Sequence, residues 1–402
     1  MIILCPICGF GKARSLLRLN CGNFDQSVLY QSVRVSVCAQ CGHIYNKLFP
    51  QEIIDLKEYY ETEYAQINLE SGDKTGDRPG SGNSNTFNRY ARLHSLIIHH
   101  INTNHNILDV GCATGGFLDY LHERGFEHLY GIDIINTYVT QARKKRIHKI
   151  KIGQAESIPF ADNSMDLLVM DQVLEHLVDP KKAFREARRV LAEDGMLCIS
   201  VPDASRYNKR FFFDFYWFLL REHVQHFDLE HLKLLGAQEG FQLVDRSQYE
   251  MPMMSDKMIL PVLSMLFRPA KPSKPLIRKA DLKLEGQISN YIKRNLALTL
   301  KRKKKVGQLI KSQQPLYLWG IGRECLYLYE NTGLKRCNIV GLVDNNRYKL
   351  RCYSLDGKIL QDESILAKVR SDSVLLVTSF AHVNVIKRKI LEFDYQIKVI
   401  NI

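Results

Sequence analysis

The chain has 402 residues, enough for two or three domains, and its 45% hydrophobic and 25% charged residues are ordinary values for a globular protein. Apolar runs of membrane-spanning length and a signal peptide are both missing from the pattern, so a cytoplasmic protein without a membrane span is expected. The net charge is +13, but residues 268–305 alone hold thirteen Lys or Arg against two Asp or Glu. This local stripe favours a solvated basic face over a nucleic-acid surface.

Residues 1–69 are predicted to form a zinc-binding module followed by a helix. Two Cys-x-x-Cys pairs, each followed by glycine, consist of Cys5 and Cys8, and of Cys38 and Cys41. Two such pairs can complete a tetrahedral zinc site, and four thiolates leave no open position, so the zinc is expected to be structural. Cys21 and His43 are alternative ligands that we rank behind the paired cysteines.

Residues 70–86 have the composition of a flexible loop, dense in Gly, Ser, Asp and Asn. Residues 87–250 then alternate short apolar runs with helical periodicity. The strand candidates are 106–110, 129–134, 166–171 and 196–201. This alternation predicts an α/β fold with a doubly wound, Rossmann-like sheet.

Residues 251–314 are predicted to be a proline-rich linker followed by a basic amphipathic helix. In that helix, leucine or isoleucine recurs every four residues from Leu284 to Leu300. Residues 315–402 repeat the alternation of strands and helices on a smaller scale, which predicts a C-terminal Rossmann-like domain. Its turn, GIGREC, lacks the third glycine of nucleotide-binding turns and is a weak signal for a nucleotide.

The stretch DVGCATGG, residues 109–116, joins a predicted strand to a predicted helix. Gly111 and Gly115 permit a sharp turn, and the amides at a helix start favour a polar, electron-rich ligand. Asp133 ends the next strand, where a carboxylate can accept both hydroxyls of a ribose. The spacing is not that of a dinucleotide site, since Ala113 holds the position of the middle glycine.

Together with GQAESIPF and DLLVMDQVLEHLVDP, this turn resembles the successive motifs of the class I S-adenosylmethionine-dependent methyltransferases over residues 87–245. The resemblance implies that S-adenosylmethionine is the cofactor. The binding residues that it implies are Asp109, Gly111, Cys112, Gly115, Asp133, Ile134, Ala155, Glu156, Asp171 and Gln172. Asp133 would bind the ribose, Ala155 and Glu156 would flank the adenine, and Asp171 would lie near the reacting methyl group.

The stretch REHVQHF, residues 221–227, places His223 and His226 three residues apart with Glu222 alongside. An imidazole of near-neutral pKa can remove a proton from an acceptor, and a carboxylate can orient the imidazole. We therefore predict that His223 is the general base and that Glu222 assists it. His226 is predicted to be structural.

A zinc module, a methyltransferase domain and a C-terminal Rossmann-like unit, in this order, resemble the sugar C-methyltransferases over nearly the whole chain. The resemblance implies a nucleotide-linked sugar that carries a ketone, in cell-surface carbohydrate or natural-product biosynthesis. His223 would remove the proton beside the ketone, and the enolate would attack the sulfonium methyl. Tyr59, Tyr60 or Tyr64 would hydrogen-bond the enolate oxygen or a phosphate.

Three alternative functions stay open. The sugar C-methyltransferases commonly have tyrosine where this chain has Leu220. Because of this difference, the first alternative is O-methylation of a sugar, a glycan or another small molecule. Some ribosomal-RNA guanine methyltransferases also carry an N-terminal zinc module, but nucleic acid is not the expected partner because the catalytic region is near neutral. A non-enzymatic binding protein with a degenerate methyltransferase fold is the third, and a failure to bind S-adenosylmethionine would indicate it.

Overall fold

The computed structural model of the protein describes residues 4–70, 84–145, 149–209, 215–253, 258–273, 282–400 and 402. Most of the predicted flexible loop, residues 71–83, lies outside the described residues. Within the described residues, none of the helices is both long enough and apolar enough to cross a membrane.

The N-terminal part has an antiparallel sheet followed by a continuous helical arm. Its strands are β1 (Ala13–Asn20), β2 (Ser32–Cys38) and β3 (Ile44–Asn46). The arm consists of α1 (Pro50–Tyr59), one π-helical turn (Tyr60–Tyr64) and α2 (Ala65–Leu69). Proline opens α1, where its missing N–H costs nothing, and the Glu52 carboxylate accepts a hydrogen bond from the Phe49 amide at 2.9 Å.

The middle part alternates helices and strands around one sheet. Its elements are α3 (Ser84–Ile97), β4 (Ile107–Val110), α4 (Gly116–His122), β5 (Leu129–Asp133), α5 (Asn136–Lys144), β6 (Lys149–Ile152), β7 (Met165–Asp171), α6 (Pro180–Val190), β8 (Leu191–Pro202), β9 (Gln225–His226), α7 (Leu229–Gln238), β10 (Phe241–Met253) and β11 (Met258–Pro269). The sheet order is β6-β5-β4-β7-β8-β11-β10, with β11 antiparallel to both neighbours. The predicted α/β Rossmann-like sheet is confirmed, and its order reverses at β4, where such sheets bind ligands.

The sheet extends beyond the predicted end of this part at residue 250. The proline-rich linker predicted from residue 251 is replaced there by the hairpin of β10 and β11. Pro261, one of the prolines of the predicted linker, lies within β11 opposite Glu250, and the pairing of β11 with β8 begins only at Val262. The missing N–H of Pro261 therefore interrupts no hydrogen bond to β8.

A long helix, α8 (Leu282–Ser312), leads to a second α/β unit. Its elements are β12 (Leu316–Trp319), α9 (Arg323–Thr332), β13 (Ile339–Val343), α10 (Arg347–Cys352), β14 (Ser354–Leu355), β15 (Lys358–Ile359), β16 (Val374–Val377), α11 (Val383–Glu392) and β17 (Lys398–Ile400). The strands β13, β12, β16 and β17 form a parallel sheet in that order.

The buried face of α8 differs from the face that the leucine spacing predicted. Leu284, Ile288 and Ile292 are buried, but Leu296 and Leu300 are 47% and 61% exposed. A row of every fourth residue drifts by about 40° per step around a helix, so its later members leave the core. The buried positions pass instead to Tyr291, Asn295, Thr299, Arg302 and Val306.

The N-terminal sheet is completed by a strand from the middle part. The short strand β9 pairs with β3, so that Ile44 lies opposite His226 and Tyr45 opposite Gln225. The segment that carries the two predicted histidines is therefore built into the N-terminal sheet.

Candidate functional site

The turn between β4 and α4 is held in an unusual backbone conformation and is fixed to β5. Gly111 and Gly115 have φ of +76° and +81°, and Ala113 between them has +46°. The Gly111 amide donates to the Ile132 carbonyl at 2.8 Å. Left-handed backbone at a non-glycine residue costs free energy, and residues of this kind cluster at ligand sites. The turn thus has the rigid, open backbone of a ligand cradle.

Gly111→Ala is expected to lower the free energy of unfolding more than the same change at another left-handed glycine, Gly357. A Cβ at Gly111 would lie 2.5 Å from Cγ2 of Val173, whereas a Cβ at Gly357 meets nothing within 4 Å. Both changes carry the left-handed penalty of about 1–2 kcal/mol, and overpacking adds about 1–3 kcal/mol only at Gly111. Equal shifts of the urea midpoint in the two variants would contradict this assignment.

Three aspartates lie together at the switch point of the sheet. Asp109, Asp133 and Asp171 are on β4, β5 and β7, and all three are largely buried. Burial raises the pKa of each carboxyl, and the neighbouring Asp171 and Asp133 charges raise that of Asp109 further. The pKa of Asp133 is raised to about 6. The site therefore favours a positively charged ligand, whose charge would offset the crowded carboxylates.

Backbone amides hold the carboxylate of Asp133, the residue predicted to bind the ribose. Asp133 accepts hydrogen bonds from the Ala113 amide at 2.9 Å and from the Ile135 amide at 2.8 Å, one on each carboxylate oxygen. A carboxylate oxygen has a second lone pair, so both remain able to accept a hydroxyl. Asp171 is instead paired with Arg89 of α3, with Nε and Oδ2 2.9 Å apart.

The remaining predicted cofactor residues surround the same strand ends. Ile134, directly after Asp133, is 42% exposed and offers an apolar surface beside the carboxylate. Ala155 is buried and Glu156 partly buried, in the connection between β6 and β7. The two others are Cys112, which is buried in the turn, and Gln172, which has a φ of +57° directly after β7.

The predicted general base lies beside a second histidine. The rings of His223 and His176 are edge to face, with centroids 5.0 Å apart. Burial and the neighbouring His176 hold the pKa of His223 well below its ordinary value. Its Nδ1 is buried without a hydrogen-bond partner among the described residues. His223 is therefore a neutral imidazole with a free nitrogen, as a proton acceptor requires.

Glu222, which was predicted to assist His223, contacts other residues. The Glu222 carboxylate lies 3.5 Å from the Tyr59 hydroxyl, and its backbone carbonyl accepts from Nδ1 of His176 at 2.9 Å. A proton on Nδ1 directs the lone pair of Nε2 of His176 towards the Glu175 carboxylate, 3.9 Å away. Burial raises the pKa of Glu175 to about 8. Glu222 thus orients His176 rather than His223.

The helical arm covers this group of residues. The Tyr60 hydroxyl lies 2.9 Å from Nδ1 of His176, and the Tyr60 and Tyr64 rings are 5.0 Å apart. Tyr64 also packs against the small hydrophobic cluster that contains Ala113 of the glycine turn. The arm therefore contacts His176 and shares a hydrophobic cluster with the turn. Burial raises the phenol pKa of Tyr60, so that it stays a hydrogen-bond donor.

Sequence reasoning missed His176, Glu175 and Arg89. The first two stand in the quoted motif as the pair EH of QVLEHL, and this pair was the available signal. Arg89 has no comparable signal, because its partner Asp171 lies 82 positions further along the chain. His226 is fully buried in β9, in keeping with its predicted structural role.

The four paired cysteines come together in the N-terminal part. The Sγ atoms of Cys5 and Cys41 are 3.7 Å apart, those of Cys8 and Cys38 are 3.5 Å apart, and all four lie within 4.8 Å of one another. Thiolates on a tetrahedral zinc ion lie about 3.8 Å apart. The four sulfurs therefore fit a closed tetrahedral metal site.

The alternative ligands are engaged elsewhere. Nε2 of His43 lies 2.9 Å from the side-chain oxygen of Gln225. Cys21 is buried in the core cluster that also contains Leu326 of α9. The four-cysteine set is thus the one that the geometry favours.

The glycine turn of the C-terminal unit is filled by the protein itself. The Lys349 ammonium donates to the Ile321 carbonyl at 2.9 Å and lies 3.2 Å from the Asp344 carboxylate. The Asp344 carboxylate is therefore paired with a cation of the protein itself. The structure adds no further support for a nucleotide at this turn.

Comparison with known proteins identifies the middle part. Residues 83–246 match the family model described as "Methyltransferase domain". A probable S-adenosylmethionine-dependent methyltransferase of Mycobacterium tuberculosis is 30% identical over 121 residues, 29% of this chain and 43% of that protein. An uncharacterized methyltransferase of Bacillus subtilis is 33% identical over 101 residues, 23% of this chain and 38% of that protein. The chain thus spans less than half the length of these curated relatives.

Among solved structures, an S-adenosylmethionine-dependent methyltransferase from Methanosarcina mazei is 21% identical, with a TM-score of 0.38. The likeness covers 44% of this chain and 97% of that one. The family match and the sheet order both indicate that the middle part has the α/β Rossmann-like fold of methyltransferase domains.

Proposed function

Given a class I S-adenosylmethionine-dependent methyltransferase domain over residues 83–246, we propose that the protein methylates a nucleotide-linked sugar at the carbon beside a ketone. The product would serve cell-surface carbohydrate or natural-product biosynthesis. The observation that carries the proposal is the unpartnered Nδ1 of a neutral His223, which lies beside His176. S-adenosylmethionine, when bound, supplies an electrophilic methyl group on a positively charged sulfur.

The carboxylates are proposed to hold this cation. Asp109 and Asp171 would face its positive charges, and Asp133 would accept the ribose hydroxyls with its remaining lone pairs. Ile134 would pack against the adenine ring, because it is an exposed apolar side chain directly after the ribose ligand. The glycine turn would admit the methionine end.

His223 is proposed to take the proton from the carbon beside the ketone. Such a carbon is weakly acidic, and its deprotonation moves negative charge onto the ketone oxygen. The Tyr60 hydroxyl stays protonated and can donate a hydrogen bond to that oxygen, which stabilises the charge. His176 fixes the edge of the site next to His223 through its bond to the Glu222 carbonyl.

The four clustered cysteines are proposed to hold a zinc ion. All four ligands come from the protein, so the ion would have no open position for a substrate. Its role would be structural, namely to fix the N-terminal sheet that includes β9.

O-methylation of a sugar, a glycan or another small molecule is the second candidate. The sequence favours it at one point, Leu220, where the sugar C-methyltransferases commonly have tyrosine. A hydroxyl acceptor would use the same base, since it too must lose a proton.

The proposal is tested by calorimetry of S-adenosylmethionine binding, with and without nucleotide sugars that include keto-deoxy forms. Turnover is followed by mass, and the methylated atom is assigned by NMR. A methyl group on a carbon next to a ketone is expected. A methyl group on oxygen would select the second candidate, and no binding of S-adenosylmethionine would overturn both.

The low pKa of His223 predicts how turnover depends on pH. A base is active when unprotonated, so activity is lost as pH falls through its pKa, and this pKa lies well below the ordinary value of about 6.5. With cofactor and acceptor both at saturation, we expect the acid limb of kcat that belongs to His223 to lie below the ordinary histidine pKa. An acid limb centred at or above the ordinary histidine pKa would contradict the assignment.

A further inference from the structure

The outer face of α8 is a row of lysines around two exposed leucines. Leu296 and Leu300 lie one turn apart and are 47% and 61% exposed. Lys293, Lys301 and Lys304 are exposed and fall on the same side of the helix by their spacing. Apolar side chains that are exposed to water are unfavourable, and their transfer to an apolar phase lowers the free energy.

The charge of this helix is strongly one-sided. It contains nine Lys or Arg and a single acidic residue, Glu285, which pairs with Arg14. Arg302 turns inward and lies over the Phe215 ring, 3.8 Å from its centroid. Among the residues that the structure describes, no carboxylate forms an ion pair with Lys301, Lys303, Lys304 or Lys305. The outward lysines therefore present positive charge that no carboxylate of the described residues compensates.

We infer that this face of α8, from Lys293 to Lys305, docks on an anionic lipid surface. Lysines at a membrane interface meet lipid phosphates and keep their charge in water, while leucines between them enter the apolar boundary. Both halves of the pattern are needed, and a lipid surface supplies a partner for each. The inference is independent of the proposed methyl transfer.

Nucleic acid would satisfy only the charge. Its phosphates attract lysines, but single strands are held by exposed aromatic rings on which the bases stack. The aromatic residue of α8 is Tyr291, and it is fully buried. The exposed leucines have no counterpart on a phosphate backbone, so lipid is the partner that the face fits.

The test is sedimentation of the full-length, zinc-loaded protein with vesicles of phosphatidylcholine alone or mixed with phosphatidylglycerol. Binding to the mixed vesicles is expected, with little binding to the neutral ones. Changing Lys301, Lys303, Lys304 and Lys305 to Gln should weaken binding by more than about tenfold. The double variant Leu296→Ala, Leu300→Ala should weaken it by about tenfold with the charge unchanged.

Matched controls are available elsewhere on the surface. Leu391→Ala removes a leucine of α11 that is 81% exposed, and it should leave vesicle binding unchanged. Exposed lysines away from α8 that can be changed together to Gln are Lys233, Lys358, Lys368 and Lys387. Thermal melting checks that each variant is folded. Absence of binding to mixed vesicles, full binding by the leucine variant, or tighter binding of a single-stranded RNA oligonucleotide would each overturn the inference.

Discussion

Replacing His223 by alanine is expected to lower turnover by about a hundredfold to ten-thousandfold and to leave S-adenosylmethionine binding unchanged. The magnitude is what a general base ordinarily contributes. Binding should survive because His223 lies beside His176, while the aspartates and the glycine turn that would hold the cofactor are on other elements. The measurements are kcat with the sugar nucleotide at saturation and calorimetry with the cofactor.

His128→Ala is the matched control for this variant. His128 is an exposed histidine of the same domain that precedes β5, at the opposite end of that strand from Asp133, and its loss should change neither quantity. Retention of more than a tenth of the turnover by His223→Ala would contradict a base at this position. Loss of cofactor binding together with turnover would assign His223 a structural role instead.

A change at Tyr60 separates the proposed stabilisation of the ketone oxygen from the proposed removal of the proton by His223. Tyr60→Phe removes the hydroxyl that lies 2.9 Å from His176 but keeps the ring packed against Tyr64. If that hydroxyl stabilises charge on the ketone oxygen, kcat falls while the acid limb of the pH profile stays in place. That limb belongs to His223 and not to the phenol, whose pKa is raised above its ordinary value.

The clustering of the glycine turn with Asp133 was predictable because its signals are contiguous. The glycine turn is eight residues long, and Asp133 is the last residue of an apolar strand. Because parallel neighbouring strands end at the same edge of a sheet, the turn after β4 and the last residue of β5 must lie close together. Local pattern and final geometry coincide there.

The surroundings of His223 were predicted only in part, because their geometry depends on contacts between distant segments. His223 and His176 lie 47 positions apart and meet only after β7 and β9 are in place. The orientation of Glu222 also follows from that meeting, and adjacency in sequence could not show that its carbonyl binds His176. The same limit applies to α8, where the spacing of leucines marked a helix correctly but could not show where the neighbouring elements cover it.

The histidine loop is held in place by the N-terminal part. The side chain of Asn46, the last residue of β3, donates to the carbonyls of Leu220 and His223 at 3.1 and 2.7 Å. Arg221 donates to the Gly22 and Tyr30 carbonyls, both at 3.1 Å. The backbone on either side of the proposed base is thus fixed by residues of the cysteine-bearing module.

The cysteine cluster in turn fixes that module. Cys38 ends β2, which pairs with β3, and the Cys41 carbonyl lies 2.7 Å from Nε2 of His231 in α7. Structural zinc contributes about 10–16 kcal/mol of binding free energy in small zinc domains. A loss of that size exceeds what one small sheet retains on its own, so the module should unfold when the ion is removed.

Removal of zinc by a strong chelator is therefore expected to abolish turnover and to lower the melting temperature in one step. Cys38→Ser should act in the same way, whereas Cys352→Ser, at an exposed single cysteine, should not. Cobalt in place of zinc would report the ligands, because four thiolates give intense charge-transfer absorption that Cys38→Ser should weaken and Cys352→Ser should preserve. A protein that loses its metal but keeps its turnover would show that the N-terminal sheet holds His223 without the ion. A protein that binds no metal would show that the four thiols pack as an ordinary buried cluster.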